Sequence, residues 1–202
     1  MPLPFRRQPW LSLVLILHFS TTAQAATLTW LGDVSSSWSS GASGTNTNWL
    51  SNTLPANGDS LVFDLTTAGL ANLSSTNDLT GLTLGGTNAL TFTNDGGTGT
   101  GFTLTGNAIT LVGNITSSGT TGTHTHTLSL GLILSGTRTL TAATGTTFVI
   151  DGTLSESGGS FGFIKAGAGS ATLSGSNSFT GAISVNQGVL TIGSIADSGT
   201  NS

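Results

Sequence analysis

Residues 165–193 read KAGAGSATLSGSNSFTGAISVNQGVLTIG, and the pattern inside this stretch decides the fold. Apolar side chains alternate with Thr, Ser or Asn in three short runs carried by Ala171/Leu173, Ile183/Val185 and Leu190/Ile192. Period-two alternation turns one face of each run toward a core and the other toward water. Between the runs lie Gly175-Ser176-Asn177, Thr180-Gly181 and Asn186-Gln187-Gly188, residues that tolerate positive φ or bond their own backbone. A chain that turns back about every ten residues in this regular way is coiling.

Upstream, Leu79 to Ile150 continues the pattern in short runs such as ALTFTN, GFTLTG, AITLVG and TTFVID, with no proline to bar interior pairing. The inward set predicted there is Leu82, Leu84, Leu90, Phe92, Phe102, Leu104, Ile109, Leu111, Leu128, Leu130, Leu132, Leu140, Phe148 and Ile150. Residues 26–86 differ in composition and carry Trp30, Trp38 and Trp49. Strands are expected at Thr27 to Leu31 and Ser60 to Asp64, the second entered through the Pro55 to Asp59 turn. Two roles fit the tryptophans. They can cover the open end of a strand stack, or Trp38 and Trp49 can form an exposed platform that stacks on sugar rings.

The first residues have the parts of a secretory leader: Arg6 and Arg7, an apolar run from Leu11 to Phe19, and Ala23-Gln24-Ala25 as a small-x-small cleavage site. The apolar run is far short of the ~20 residues that span a bilayer as a helix. Removing residues 1–25 leaves Arg138 and Lys165 against eight acidic residues, a net charge of about −6. Two scattered cations cannot neutralise a phosphate backbone, which excludes nucleic acid as a partner. No cysteine is present, so disulfides and thiolate chemistry are absent too. Only 6% of residues are charged while 36% are hydrophobic and 30 are glycine, a balance suited to stacked strands and tight turns.

Chemistry is sparse. His124 and His126 share a strand face in THTHT, but no third ligand lies nearby in sequence, so they read as exposed strand histidines and no metal or other cofactor is expected. Serines abound without a G-x-S-x-G elbow. Asp151 and Glu156 are the nearest pair of acids for a glycosidase, the enzymatic alternative, which predicts glycan turnover lost on Asp151→Ala or Glu156→Ala. Thr-x-Thr pairs recur at Thr91/Thr93, Thr103/Thr105, Thr123/Thr125/Thr127 and Thr137/Thr139/Thr141. Their uneven spacing predicts that no Thr ladder stays in register, which argues against an ice-binding face.

The stretch from Lys165 resembles the autotransporter-associated, or passenger-associated transport, β-strand repeat of bacteria. Its pattern runs K-x-G-x-G-x-x-x-L-S-G-x-N-x-[YF]-[TS]-G-x-[IT]-x-[VI]-x-x-G-x-L-x-[IV]. Lys165, Gly167, Gly169, Leu173, Ser174, Gly175, Asn177, Phe179, Thr180, Gly181, Ile183, Val185, Gly188, Leu190 and Ile192 occupy matching positions. The resemblance implies a right-handed parallel β-solenoid displayed outside a bacterial cell, and it brings no catalytic residues. The expected organisation is a signal peptide at 1–25, a Trp-containing N-terminal β cap with the first strands at 26–86, and the solenoid at 87–202, with the repeat at about 158–193. The expected role is a non-enzymatic secreted or cell-surface stalk that aids export or adhesion. The other non-enzymatic alternative is an adhesin that holds a surface polysaccharide through Trp38 and Trp49. Autotransporters end in a translocator barrel of ~10-residue amphipathic strands, and none follows the repeat in these 202 residues. The chain is therefore expected to be a fragment, to be released, or to be anchored otherwise, with its last coil open to self-association or to a continuing segment.

Overall fold

The computed structural model describes residues 25–119 and 121–193. The leader read at residues 1–25 lies outside them apart from Ala25, as does Asp197. Alternation with frequent turns gives strands throughout, and no helix occurs among the described residues. None is therefore long and apolar enough to cross a membrane.

The described chain opens with β1 (Thr27–Thr29) and a small antiparallel hairpin, β2 (Gly41–Ala42) and β3 (Asn46–Thr47). It then winds through four complete coils of three strands each. The first is β4 (Ser60–Asp64), β5 (Ser74–Asn77) and β6 (Thr83–Leu84), and the second is β7 (Asn88–Thr93), β8 (Thr98–Gly106) and β9 (Ile109–Leu111). The third is β10 (Asn114–Ser118), β11 (Thr123–Leu128) and β12 (Leu132–Leu134); the fourth is β13 (Arg138–Thr141), β14 (Thr146–Ile150) and β15 (Leu154–Glu156). Two faces then continue as β16 (Phe163–Ala166), β17 (Ser170–Leu173), β18 (Ile183–Val185) and β19 (Val189–Ile192).

Every coil pairs in parallel with the next, which makes the chain a β-solenoid with three faces. The first face has the order β1-β4-β7-β10-β13-β16-β18, the second β19-β17-β14-β11-β8-β5 and the third β15-β12-β9-β6. Parallel pairing begins with β1 on β4, and the first complete coil opens at Ser60, within the 26–86 segment expected to hold the first strands.

Register follows the apolar side chains. On the first face Leu28, Leu61, Leu90, Ile115 and Leu140 stack one above another, with Lys165 and Val185 next in line. From Leu90 to Lys165 the interval is a constant 25 residues (90, 115, 140, 165). On the second face Leu104, Leu128, Ile150, Leu173 and Ile192 form one row. All fourteen predicted inward residues are buried, each contributing about 1.5–3 kcal/mol by leaving water.

The corner between the first and second faces repeats a single device. Each passage from one face to the other uses a glycine with positive φ, among them Gly96, Gly122, Gly145, Gly167 and Gly188. At Gly122 a Cβ would lie 1.7 Å from the Gly97 carbonyl oxygen, and at Gly145 2.0 Å from that of Gly122. Coils can therefore stack at this corner only where side chains are missing.

Single threonines do keep register from coil to coil, contrary to the sequence expectation, although the Thr-x-Thr pairs as units do not. Thr91, Thr116 and Thr141 align on the first face, and Thr100, Thr125 and Thr147 align on the second. The uneven spacing arose from comparing pairs that belong to different faces. Some of these hydroxyls bond across coils, as at Thr76–Thr105 (3.0 Å) and Thr147–Ser170 (2.9 Å).

Candidate functional site

Trp30, Trp38 and Trp49 are fully buried. The Trp49 ring meets Trp30 edge-on at 5.1 Å and Trp38 edge-on at 5.9 Å, and all three indoles gather on Phe63. Their N–H groups are satisfied: Trp30 donates to Asn72 O (2.8 Å), Trp49 to Trp38 O (3.0 Å), and Trp38 to Ser75 Oγ. Trp38 and Trp49 thus present no free face to a sugar. An apolar row needs a lid, and the largest side chains of the segment supply it.

His124 and His126, expected on the surface, point inward, at 5% and 0% exposure. They share the parity of buried Leu128, so Thr123, Thr125 and Thr127 take the outer face. His126 Nδ1 accepts from Phe102 N–H at 3.0 Å, which puts the proton on Nε2, where it is donated to Asn94 Oδ1 at 3.0 Å. Asn94 passes a bond to Thr146 Oγ1 (2.9 Å), which Ser117 also reaches (3.1 Å). Burial first, and then the neighbouring His124, push the His126 pKa down to about 3. His126 is a neutral core residue stacked among Phe92, Phe102 and Phe148. His124 Nε2 meets Asp95 Oδ1 at 2.9 Å. Among the described residues no group of three ligating side chains could hold a metal ion.

Of the candidate pair Asp151 and Glu156, Glu156 is committed to hydrogen-bond donors of its own chain. Glu156 accepts from Phe161 N (2.6 Å), Thr180 N (2.9 Å) and Thr180 Oγ1 (2.6 Å), and these bonds, the Phe161 amide foremost, hold its pKa below the usual value. A glycosidase acid needs the opposite shift. Glu156 instead ties the 156–161 turn to Thr180 of the next coil. Arg138 is committed to Leu111 O (3.0 Å) and Ser135 Oγ (3.3 Å).

In the repeat segment Lys165 is the notable residue. It occupies the inward position after Leu140, is fully buried, and donates from Nζ to the carbonyls of Ala166 (2.8 Å), Gly167 (2.8 Å) and Gln187 (3.2 Å). One ammonium thus caps two successive corner turns, and burial lowers its pKa. Lys165→Met keeps the stem and removes the three donors, so it should cost roughly 1–3 kcal/mol. Urea unfolding checks this, and a variant as stable as its parent would refute the capping role.

The other motif residues are structural too. Gly169 sits within 2.3 Å, by a built Cβ, of the Thr146 carbonyl, Gly175 within 2.1 Å of that of Gly152, and Gly181 within 2.3 Å of that of Phe161. Leu173, Phe179 and Asn177 are buried, with Phe179 against Phe163 at 6.4 Å. Ile183, Leu190 and Ile192 pack partly on the core, whereas Val185 is 52% exposed. Val185 is in the inward row, but β18 is an edge strand among the described residues and nothing there covers it.

A groove of about 440 Å³ lies at the start of the second face, lined by Thr, Ser and Gly residues together with His124, Ala168 and Val189. Sequence reasoning missed it, because its residues come from separate coils.

Stacked parallel coils whose polar interior groups bond one another define a β-solenoid. Comparison with known proteins adds that residues 163–192 match the passenger-associated-transport-repeat family. A segment of 57 residues is 47% identical to the adhesin BmaC autotransporter of Brucella suis biovar 1 (strain 1330). That segment covers 28% of this chain and 2% of the length of the Brucella protein. No solved structure matches.

Proposed function

We propose that the chain is a non-enzymatic passenger module of autotransporter type, a stalk held at the bacterial cell surface or released from it. The observation that carries this reading is the unbroken parallel stack running into the repeat, in which each coil buries its apolar row only when the next is laid on it. Such a stack folds by addition at one end, so a chain emerging through an outer membrane can fold as it appears, and folding outside opposes its return. The roles of Glu156, Arg138 and the histidines as internal bonding groups support the absence of catalysis.

Protease treatment of intact host cells, followed by probing for residues 26–193, tests the location. The expected result is loss of the band without cell lysis, or its recovery from the medium. A band protected until the cells are broken would overturn the reading.

A further inference from the structure

The small-x-small triplet Ala23-Gln24-Ala25 places a leader cut between Ala25 and Ala26. In the fold, the nitrogen on the far side of that bond is already held by a buried carboxylate. Ala26 N donates to Asp59 Oδ1 at 2.7 Å, across 33 residues of sequence. Asp59 is only 4% exposed, and its Oδ2 accepts from Ala56 N–H at 2.9 Å. Among the described residues no Lys, Arg or His pairs with it. A buried carboxylate that rests on two neutral amides lacks the cation that a buried acid ordinarily takes as its partner.

The sheet itself brings the two groups together. Ser60 N–H donates to Ala26 O (2.8 Å), and Thr27, the next residue, opens β1 opposite Ser60, the first residue of β4. Ala26 and Asp59 thus precede neighbouring parallel strands at the same end. Asp59 is fixed from its own backbone as well, where its carbonyl accepts from Gly85 N–H (2.9 Å) and its N–H donates to Ala56 O (3.2 Å). A cut after Ala25 leaves no overhang ahead of this contact: the first residue of the processed chain is the one that touches Asp59. Ala25, by contrast, is exposed.

We propose that cleavage after Ala25 creates a latch, in which the α-ammonium of Ala26 forms an ion pair with buried Asp59 and fastens β1, and with it the Trp lid, to the first coil. The step is hydrolysis by a leader peptidase. The Ala25–Ala26 peptide bond breaks, the oxygen of water goes to the Ala25 carboxylate, and both its hydrogens go as protons to the Ala26 nitrogen. One neutral amide donor becomes an ammonium with three, and an ordinary hydrogen bond becomes a charge-assisted one. The latch exists only in the processed chain. It rests on the leader reading of residues 1–25, and neither the position of the cut nor the strength of the latch depends on display at the cell surface.

Two measurements test it. Mass spectrometry of the protein exported by its host should find a chain that begins at Ala26, and any other N-terminus overturns the proposal. Two purified chains ending at Ser202 are then compared at pH 7, one beginning at Ala26 and one at Ala25, which moves the ammonium one residue, about 3.3 Å, along the strand. The Ser60 and Trp30 amides, which donate to Ala26 O and Val62 O across the β1–β4 pair, should exchange about tenfold faster in the longer chain, while β14 exchanges alike in both. Asp59→Asn keeps the shape and an acceptor but removes the charge, so in that background the difference between the two chains should vanish. Equal exchange in the two parent chains, or a difference that survives Asp59→Asn, would show Asp59 to be an acceptor of backbone amides only and would overturn the latch. The first two readouts do not depend on that variant folding.

Discussion

Lowering the pH from 7 toward 3 is expected to remove on the order of 4 kcal/mol of stability through His126 alone. Its pKa is depressed in the folded chain from 6.5 to about 3, because the ring is buried between aromatic neighbours and lies near His124. Between those two values the unfolded chain takes up a proton that the native chain refuses. Stability is therefore complete above pH 6.5 and declines as the pH falls toward 3. The lowered carboxylates Asp78, Asp95 and Glu156 act in the same direction, but only near and below their ordinary values around 4. The range from 6.5 to about 4.5 thus isolates the histidine. Urea midpoints measured across that range should fall steadily. His126→Phe should start lower at pH 7, since Phe102 N–H and Asn94 lose their partner, yet its midpoint should hardly change with pH. An equal slope in parent and variant would assign the acid sensitivity elsewhere.

That histidine also shows where sequence reading stopped. Apolar alternation is a strong signal, and wherever Leu, Ile or Phe marked the inward face the predicted side was right. In THTHT both residue types are polar, so local alternation was silent. The parity of Leu128 and Leu130 carried into the run and would have placed both rings inside. Lys165 is the same case: it shares parity with Phe163 and continues the 25-residue series of Leu90, Ile115 and Leu140, but a lysine in an apolar row looks like a solvent residue until its three carbonyl acceptors are seen.

The groove belongs to a different category. Thr98, Thr123, Thr147 and Ser170 are neighbours only because the coils between them close at particular lengths, and those lengths vary where turns take up extra residues. The interval is 25 residues from Thr100 to Thr125 but 22 from Thr125 to Thr147 (100, 125, 147). Strand existence was legible from composition and period, whereas alignment between strands required the pairing itself.

Trp49→Ala is expected to destabilise the N-terminal end by about 3–5 kcal/mol. The indole is fully buried, packs edge-on against Trp30 and Trp38, touches Phe63, and supplies the donor that satisfies Trp38 O. Removing it opens a cavity that rigid neighbouring rings cannot fill, and it leaves that carbonyl without its indole donor. Because a solenoid is coupled from coil to coil, the damage should be graded. Phe63 meets Phe92 and Phe102, both at 5.4 Å, so the second coil feels the loss through two aromatic contacts, while β14 of the fourth coil is reached only one step further on, through Phe92–Phe148 at 5.2 Å. Amide exchange should therefore accelerate strongly in β4 and β5, less in β7 and β8, and hardly in β13 and β14. A sugar-stacking role for this residue would instead leave exchange and stability unchanged while abolishing glycan binding. Uniform acceleration along the whole chain would mean that the solenoid unfolds as a single cooperative block, with the Trp cluster as the element that holds all of it.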